Sequence, residues 1–350
     1  MIDFRYHLVS IVAVFLALAI GIVLGSTELQ GTTIDALRLS SNSLKSELSV
    51  SNNQRDSYEQ QVGADQQFLA TAEPRLLAGE LPQARIVLIT EPGASSDVVA
   101  GIKQAAGLAG ATVIGQVELQ PSFNDLSGAT QSSLCGIDSD LASTDQTTLA
   151  TPSNQQTECQ QEAAQLIGTA VLATTTANET EGISSADAQT LLAAYAQAGY
   201  LTISDAPYDR ATLAVIVTPA TAPADGQNDP ANQVLLAITP QFAAASAATI
   251  VVGSSAGSAA SGSAISVLRS SSVSSEVSTV DNADATIGQI SAMWALSNQL
   301  RGEKANSYGI SGASAVSPVP LATPSATPTP TPSPSHTATK GKGGKSVKKK

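Results

Sequence analysis

The side chains that most often perform catalysis or bind transition metals are scarce in this sequence. Its 350 residues include two histidines, His7 and His336, and two cysteines, Cys135 and Cys159. Neither histidine lies between residues 84 and 310, where the sequence has the patterns of a folded domain. A Ser-His-Asp triad, a Cys-His pair and a histidine-bound zinc site are therefore excluded there by count. The sequence predicts that the protein is not an enzyme, and it indicates no cofactor.

Carboxylates are the remaining candidates for binding a cation. Asp205 and Asp209 follow one predicted strand, and Asp281 and Asp284 follow another. Strand ends are where α/β sheets usually bind ligands, so either pair could hold a metal ion. Asp284 also has the position of an N-cap for the helix predicted after it.

Three further stretches resemble binding loops without completing the pattern. Asp138 and Asp140 match the start of a calcium loop, but its glycine and its closing glutamate are missing. The glycine-rich stretch 253–263 follows a predicted strand but lacks the spacing of a dinucleotide-binding loop and the lysine of a P-loop. The sequence GGKS near residue 345 resembles the end of a P-loop, yet no strand precedes it. We interpret all three as ordinary structure.

The two cysteines lie 24 residues apart in a polar stretch rich in Ser, Thr and Gln. In an oxidising compartment, a disulfide between Cys135 and Cys159 would close that stretch. The alternative is a metal clip, although neither a CxxC spacing nor a nearby histidine supports it.

The first hydrophobic segment determines on which side of a membrane these residues are displayed. No residue from Tyr6 to Thr27 is charged, and a helix of these 22 residues is about 33 Å long, enough to cross a hydrocarbon core of ~30 Å. A cleaved secretory signal has a shorter apolar region of about 7–15 residues. We therefore predict a membrane anchor over residues 1–27 that holds the rest of the chain outside the cytoplasm. The alternative is cleavage after Val23-Leu24-Gly25 and a secreted product.

Small residues recur at every fourth position along this anchor. They are Ala13, Ala17, Gly21 and Gly25, and the last two form a G-x-x-x-G motif. Such a ridge lets two helix backbones approach closely in lipid, where packing drives association. The alternative is that Ala and Gly are simply common in membrane helices.

A heptad pattern follows the anchor, in residues 28–75. Its apolar or near-apolar seam positions are Ile34, Leu37, Leu44, Leu48, Tyr58 and Val62, and polar Ser41, Ser51 and Arg55 interrupt them. These imperfect heptads favour a short coiled-coil stalk, and together with the ridge they predict a homo-oligomer. The alternative is a single amphipathic helix that lies along the chain's own folded domain.

From residue 84 to 310, short β-branched runs alternate with helical patterns. The predicted strands are 85–90, 111–119, 200–204, 214–218, 248–253 and 273–280. The predicted helices are 95–108, 161–172, 185–198, 231–245 and 284–301, with Ile287, Ile290, Trp294 and Leu300 on one face of the last. We expect Pro240 to break the fourth helix in two, and residues 121–160 to be irregular. This order predicts an α/β domain with a mostly parallel sheet flanked by helices.

The remaining residues, 311–350, form a segment of different composition. LATPSATPTPTPSPSHTATK is a Pro/Ser/Thr repeat typical of an extended, disordered spacer, and six lysines occupy the last eleven positions. The whole chain has a net charge of −12, but without those six lysines 11 basic residues face 29 acidic ones, a charge of −18. The acidic body argues against nucleic-acid binding. The lysines could bind an anionic envelope polymer, a lipid surface or the chain's own acidic face, or remain solvated.

Several of these stretches resemble one known family. IDFRYHLVSIVAVFLALAIGIVLGS at the start, RIVLIT after the stalk, and STVDNADATIGQISAMWALSNQLRG followed by SYG are similar to the copper transport protein B (MctB) family of actinobacterial envelope proteins. The resemblance covers about residues 1–313. It implies a membrane protein that limits intracellular copper, described for the family as channel-forming and placed in the outer membrane.

The residues agree with only part of that implication. An outer-membrane barrel needs alternating strands of about ten residues and girdles of aromatic side chains, whereas this chain has 3% aromatic residues. A clustered set of sulfur and imidazole ligands for copper is also missing, so no copper ligand is assigned. We therefore expect a single-pass envelope protein that acts in copper homeostasis, either as a component of an oligomeric channel or as an anchored scaffold for envelope partners.

Overall fold

The first element is one uninterrupted helix, α1, that spans Phe4–Leu77. We describe it from a computed structural model, which covers residues 4–145, 156–174, 183–204 and 210–318. The predicted anchor and stalk therefore lie on a single rod of 74 residues, about 110 Å long at ~1.5 Å per residue. The helix continues through Pro74 and ends one turn later.

The remaining elements alternate strands with helices, as the sequence predicts. The strands are β1 (Arg85–Thr90), β2 (Thr112–Leu119), β3 (Leu201–Ser204), β4 (Leu213–Val217), β5 (Ala248–Val252), β6 (Ser278–Val280) and β7 (Ser307–Tyr308). The helices are α2 (Ser96–Ala109), α3 (Gly128–Asp145), α4 (Glu158–Val171), α5 (Ser185–Gln197), α6 (Pro230–Ala245), α7 (Ser255–Ser258), α8 (Ala264–Ser270) and α9 (Thr286–Leu300).

The seven strands form one sheet in the order β3-β2-β1-β4-β5-β6-β7. Every pairing is parallel except that of β2 with β3, so the prediction of a mostly parallel sheet is confirmed. The chain moves outward from β1 through β2, then returns to the other side of β1 with β4. This reversal makes the carboxyl end of β1 the switch point where open α/β sheets usually bind ligands.

Alternate residues of the central strands pack on opposite faces of the sheet. Val87 and Ile89 point to a core formed with α3, α4, α5, α6 and α8. Ile86 and Leu88 point to a second core formed with α2, α9 and the end of α1. Both faces are covered, which explains why β1, β4 and β5 are continuous apolar runs rather than alternating ones.

The structure corrects four local predictions. Residues 121–160 are not irregular throughout, because α3 lies within them and buries Leu134. Pro240 does not divide α6, which runs unbroken to Ala245. The strand predicted over residues 273–280 is reduced to β6. Leu300 is exposed rather than on the buried face of α9.

The end of α1 packs along α9, and this contact fixes the direction of the stalk. Gln66 Oε1 accepts a hydrogen bond from Thr286 N–H at the start of α9 (3.3 Å), and Trp294 Nε1 donates to the Leu76 carbonyl further along (3.1 Å). The two helices therefore run in the same direction. Because α9 starts at the carboxyl edge of the sheet, the part of α1 before Gln66 extends outward beyond that edge.

Candidate functional site

An open cleft of about 500 Å³ lies at the carboxyl ends of β1 and β2, beside the first turns of α2. Strand β1 ends in a turn from Glu91 to Ala94, in which Gly93 has a φ of +80°. Glycine adopts this left-handed conformation without strain, so the chain can turn directly into α2. Ser95 then caps α2 by accepting a hydrogen bond from Val98 N–H. The local sequence thus builds one wall of the cleft.

The floor of the cleft consists of hydrogen-bonded polar side chains. Glu118 Oε1 accepts hydrogen bonds from Gln116 Nε2 (3.0 Å) and from Ser204 Oγ (3.1 Å). Gln120 Nε2 donates to Thr202 Oγ1 (3.0 Å) on the edge strand β3. This combination of carboxylate, amide and hydroxyl groups is suited to a small polar ligand. Among the described residues that line the cleft, none is a histidine or cysteine, so these residues offer no soft ligand for a transition metal.

Glu91 is a buried acid at the switch point of the sheet. Its side chain is 3% exposed, and neither carboxylate oxygen has a hydrogen-bond partner among the described residues. Burial, with a smaller contribution from the carboxylate of Asp229, raises the pKa of Glu91 to about 8. The group is therefore mainly protonated at neutral pH. Nothing in the sequence marks Glu91 as buried, since a single glutamate after a strand resembles an ordinary surface residue.

Asp281 belongs to a buried ion pair rather than to a cation site. Arg269 Nη1 lies 2.8 Å from Asp281 Oδ2, and the Asp281 side chain is fully buried. The same carboxylate accepts hydrogen bonds from Ile310 N–H (2.7 Å) and Ser311 N–H (2.8 Å). Arg269 also donates to the carbonyls of Tyr308 and Ser311. We call Arg269, Asp281 and residues 308–311 the clasp.

The clasp requires a glycine at position 309. Gly309 has a φ of +127°, and a Cβ atom there would lie 1.9 Å from Asp281 Oδ1. Only glycine lets the backbone approach the carboxylate this closely. The VDNAD and SYG stretches of the sequence therefore meet in space as one structural unit.

The other predicted cation and phosphate sites either have a structural role or lie outside the described residues. Asp284 is not the N-cap of α9; its Oδ1 instead accepts hydrogen bonds from Ser255 N–H and Oγ, both 2.8 Å, at the start of α7. Asp138 and Asp140 lie within helix α3, so the backbone there is not a calcium loop. The glycine-rich stretch 253–263 contains the short helix α7. Asp205, Asp209 and the GGKS stretch lie outside the described residues.

The two cysteines meet between neighbouring helices. Cys135 lies on α3 and Cys159 on α4, and a disulfide joins them with a Cα–Cα distance of 4.9 Å. The bond closes the stretch between the two helices and ties α3 to α4.

The anchor and the stalk are exposed along the single chain. Among the described residues, one helical segment, Arg5–Gly25, is long and apolar enough to span a membrane. A Cβ atom placed on Gly21 or Gly25 would meet no atom within 4 Å, so this side of the helix is open to a partner. Ala13 and Ala17 continue the same side towards the N-terminus.

The apolar heptad side chains of the stalk project into solvent. Each of Leu37, Leu44, Leu48, Tyr58 and Val62 is more than half exposed. The stalk therefore does not lie along the chain's own domain, as one interpretation of the sequence expected. Contacts with the domain begin only near Gln66, at the base of the helix.

The anchor, the stalk and the sheet domain together match one family. A family model described as "Copper transport outer membrane protein, MctB" matches residues 1–320. The chain belongs to the MctB family. It is 30% identical to "Copper transporter MctB" of Mycobacterium tuberculosis (strain ATCC 25618 / H37Rv) over 323 residues, which is 88% of this chain and 96% of the relative. It is 28% identical to "Copper transporter MctB" of Mycobacterium leprae (strain TN) over 326 residues, 91% and 99% of the two chains. The resemblance inferred from the sequence motifs is confirmed.

Membership of the MctB family raises the question of copper ligands. Over the part of the chain that the structure describes, no three or more His, Cys, Asp or Glu side chains are grouped where they could hold a metal ion. Met293 is on the buried face of α9 and fully enclosed in the core, and both cysteine sulfurs are used in the disulfide. His7 lies on Arg5–Gly25, the apolar segment of α1. No residue of the described chain is therefore assigned as a copper ligand.

Proposed function

We propose that this protein is a membrane-anchored cell-envelope protein that acts in copper transport and copper homeostasis. The observation that carries the proposal is the MctB family match over residues 1–320, which includes the anchor, the stalk and the sheet domain. The mycobacterial relatives of almost equal length bear the name of a copper transporter, which supports copper as the cargo and a role other than catalysis.

The sheet domain lies on the extracytoplasmic side of the membrane in this proposal. The disulfide between Cys135 and Cys159 supports that placement, since disulfides persist in oxidising compartments. The acidic body of the chain supports the absence of a nucleic-acid partner.

A transport role through this chain requires an oligomer. One apolar helix cannot enclose a pore, because a polar path through lipid must be lined by several protein segments. The small-residue ridge of the anchor and the exposed heptad side chains of the stalk support assembly of identical chains. The copper-transport role is therefore that of an oligomeric channel component joined through the anchor and a coiled-coil stalk.

A second candidate function is that of an anchored, non-catalytic scaffold for envelope partners. It is favoured by the lack of a grouped set of metal ligands over the described chain. The polar cleft and the folded domain at the end of a long stalk would then recruit partners, and copper tolerance would be a downstream effect.

Copper accumulation in a deletion strain tests the proposal and separates its two forms. We expect the native gene to restore low intracellular copper. A chimera in which an unrelated single-span helix replaces residues 1–27 should fail if the native helix lines a pore, and should rescue fully if the domain acts as a scaffold. The variant Gly21→Leu makes the same test with one residue changed: it should raise intracellular copper if the ridge joins the helices of a pore, and leave it low if the domain acts as a scaffold. Ile22→Leu, which lies off the ridge, is the control and should leave copper low in both cases. Unchanged copper in the deletion strain would contradict both forms.

A further inference from the structure

The apolar seam of the stalk continues into the part of α1 that packs on the sheet domain. Leu69 and Leu76 lie 7 and 14 residues after Val62, so they take the next two a positions of the same heptad pattern. Residues with this spacing share one side of a helix. Both side chains are half-buried, and Leu76 packs against the core that α2 and α9 form with the sheet. The seam before Val62 and the domain after it therefore occupy the same face of α1.

Helix α9 takes the place of a partner helix along this last part of α1. The two helices run in the same direction, joined by the hydrogen bonds of Gln66 with Thr286 and of Leu76 with Trp294. Between these two contacts, Glu73 is 3% exposed. A second copy of α1 that followed the seam past Gln66 would have to occupy the volume that α9 already fills.

The change from open seam to domain contact takes one helical turn. Val62 is 58% exposed, whereas Gln66, four residues later, contacts the start of α9. The d position between them is Asp65, which is also exposed. Pairing at Asp65 would bring like charges together in the seam, where apolar residues are needed. The apolar seam therefore ends where the contact with the domain begins.

Two copies that are anchored in one membrane with the same topology run in the same direction. We infer that identical chains pair along α1 only as far as Val62, and that their sheet domains lie between the bases of the stalks, beneath the axis of the assembly. The seam of every chain faces that axis, and every domain is attached on the seam side of its own α1. The inference rests on the assembly through anchor and stalk under Proposed function, and it applies to any number of chains.

Packing distances give the separation expected at the base of the stalk. Helices that pack against each other lie about 8–10 Å apart. Past Gln66, one copy of α9 lies on the inner side of each α1, so three such spacings separate two copies of α1, at least about 25 Å in total. The bases of the stalks are therefore at least about 15 Å further apart than their paired part.

Distances between spin labels on two copies test the inference in the full chain. Both native cysteines are used in the disulfide, so a label attaches selectively to an introduced cysteine. Ser46→Cys and Thr71→Cys are suitable positions, because both native side chains are exposed and lie on the side of α1 away from the seam. Double electron–electron resonance in phosphatidylcholine nanodiscs should give a distance between copies that is at least about 15 Å longer at Thr71→Cys than at Ser46→Cys.

A pair of charge variants shows whether the measured pairing uses the seam. In chains labelled at Ser46→Cys, Leu48→Glu places like charges at an a position and should remove the short distance. Val50→Glu is the matched control, since Val50 is also an exposed apolar residue of the stalk but lies off the seam. This variant should leave the short distance unchanged. The reverse result, with the distance lost only in Val50→Glu, would place pairing on another face and overturn the inference.

Failure of the inference is distinguishable from failure of the proposed assembly. Equal short distances at Ser46→Cys and Thr71→Cys would leave the assembly intact and overturn the inference alone, because the partner helix would then follow α1 to its base. Long distances at both positions would show that the chains join through the anchor only, which overturns pairing along the stalk. No dipolar signal at either position would overturn the assembly and the inference together.

Discussion

Arg269 and Asp281 hold the last described segment of the chain against β6. Each charged group is surrounded by partners, since Arg269 donates to Thr279 Oγ1 and two carbonyls while Asp281 accepts from two backbone N–H groups. A buried ion pair is tolerated when all its hydrogen bonds are made, and breaking one side leaves an uncompensated charge. Asp281, which the sequence suggests as a cation ligand, therefore stabilises the fold instead.

We predict that Asp281→Asn destabilises the protein by about 3–5 kcal/mol, because it leaves Arg269 buried without its counter-ion. Denaturant unfolding of the detergent-solubilised full chain measures this change. Arg38→Ala is the control; its pair with Asp35 is solvent-exposed at 3.8 Å and should contribute less than about 0.5 kcal/mol. An equally small effect for Asp281→Asn would show that the clasp is not required for stability.

Glu91 predicts a specific pH dependence of stability. Its pKa rises from 4.5 in an unfolded chain to about 8 in the folded protein, so the folded state holds a proton that the unfolded state releases between these values. The stability that the protonated Glu91 contributes is therefore fully present below pH 4.5 and is lost as pH rises towards 8, by about 1.4 kcal/mol per pH unit.

Glu91→Gln should remove that decline, because glutamine has nearly the shape of the neutral acid and cannot ionise. At pH 8 we expect the variant to be more stable than the native chain by roughly 4 kcal/mol, with a difference of less than about 1 kcal/mol at pH 5. Unfolding midpoints across this range measure the effect, and the exposed Glu59→Gln serves as control. Parallel curves for the native chain and Glu91→Gln would contradict a buried, protonated Glu91.

The sequence predicts best those strands and helices whose hydrophobic pattern is strong over a short stretch of chain. Strands β1, β2, β4 and β5 lie within one residue of their predicted ends, because buried β-branched runs between polar stretches have few other interpretations. Helix α3 is missed because its polar, Ser-rich sequence has weak helical periodicity. Its position depends on the disulfide and on packing against α4, which are tertiary interactions. The antiparallel direction of β3 likewise depends on its neighbour β2.

The stalk provides a prediction about assembly. If two chains pair through the heptad seam, a cysteine at Leu44→Cys should form an intermolecular disulfide in oxidised membranes. A cysteine at Ser46→Cys, on the opposite side of the helix, is the matched control and should give at least about fivefold less dimer. Gly21→Cys tests the ridge of the anchor in the same way. A result of monomer at both Leu44→Cys and Gly21→Cys would refute pairing through this helix.

For the molecule as a whole, the sequence indicates the α/β class and the position of an apolar helix, but not how the parts are oriented. The carboxyl edge of the sheet faces the membrane segment because α1 and α9 run in the same direction, through contacts between residues more than 200 positions apart. The candidate site is predicted less well than the fold. The burial of Glu91 and the contacts of the clasp arise only when distant parts of the chain fold together. Arg269 lies in a serine-rich stretch that does not indicate a buried ion pair.

We propose that the first hydrophobic helix remains on the mature protein and holds the sheet domain beyond a lipid barrier. The intact mass of the protein purified from the membrane fraction distinguishes a retained helix from a cleaved one. We expect a mass that includes the apolar segment Arg5–Gly25. A mature chain that begins near Ser26 would refute the membrane anchor, because nothing would then fix the stalk to the membrane.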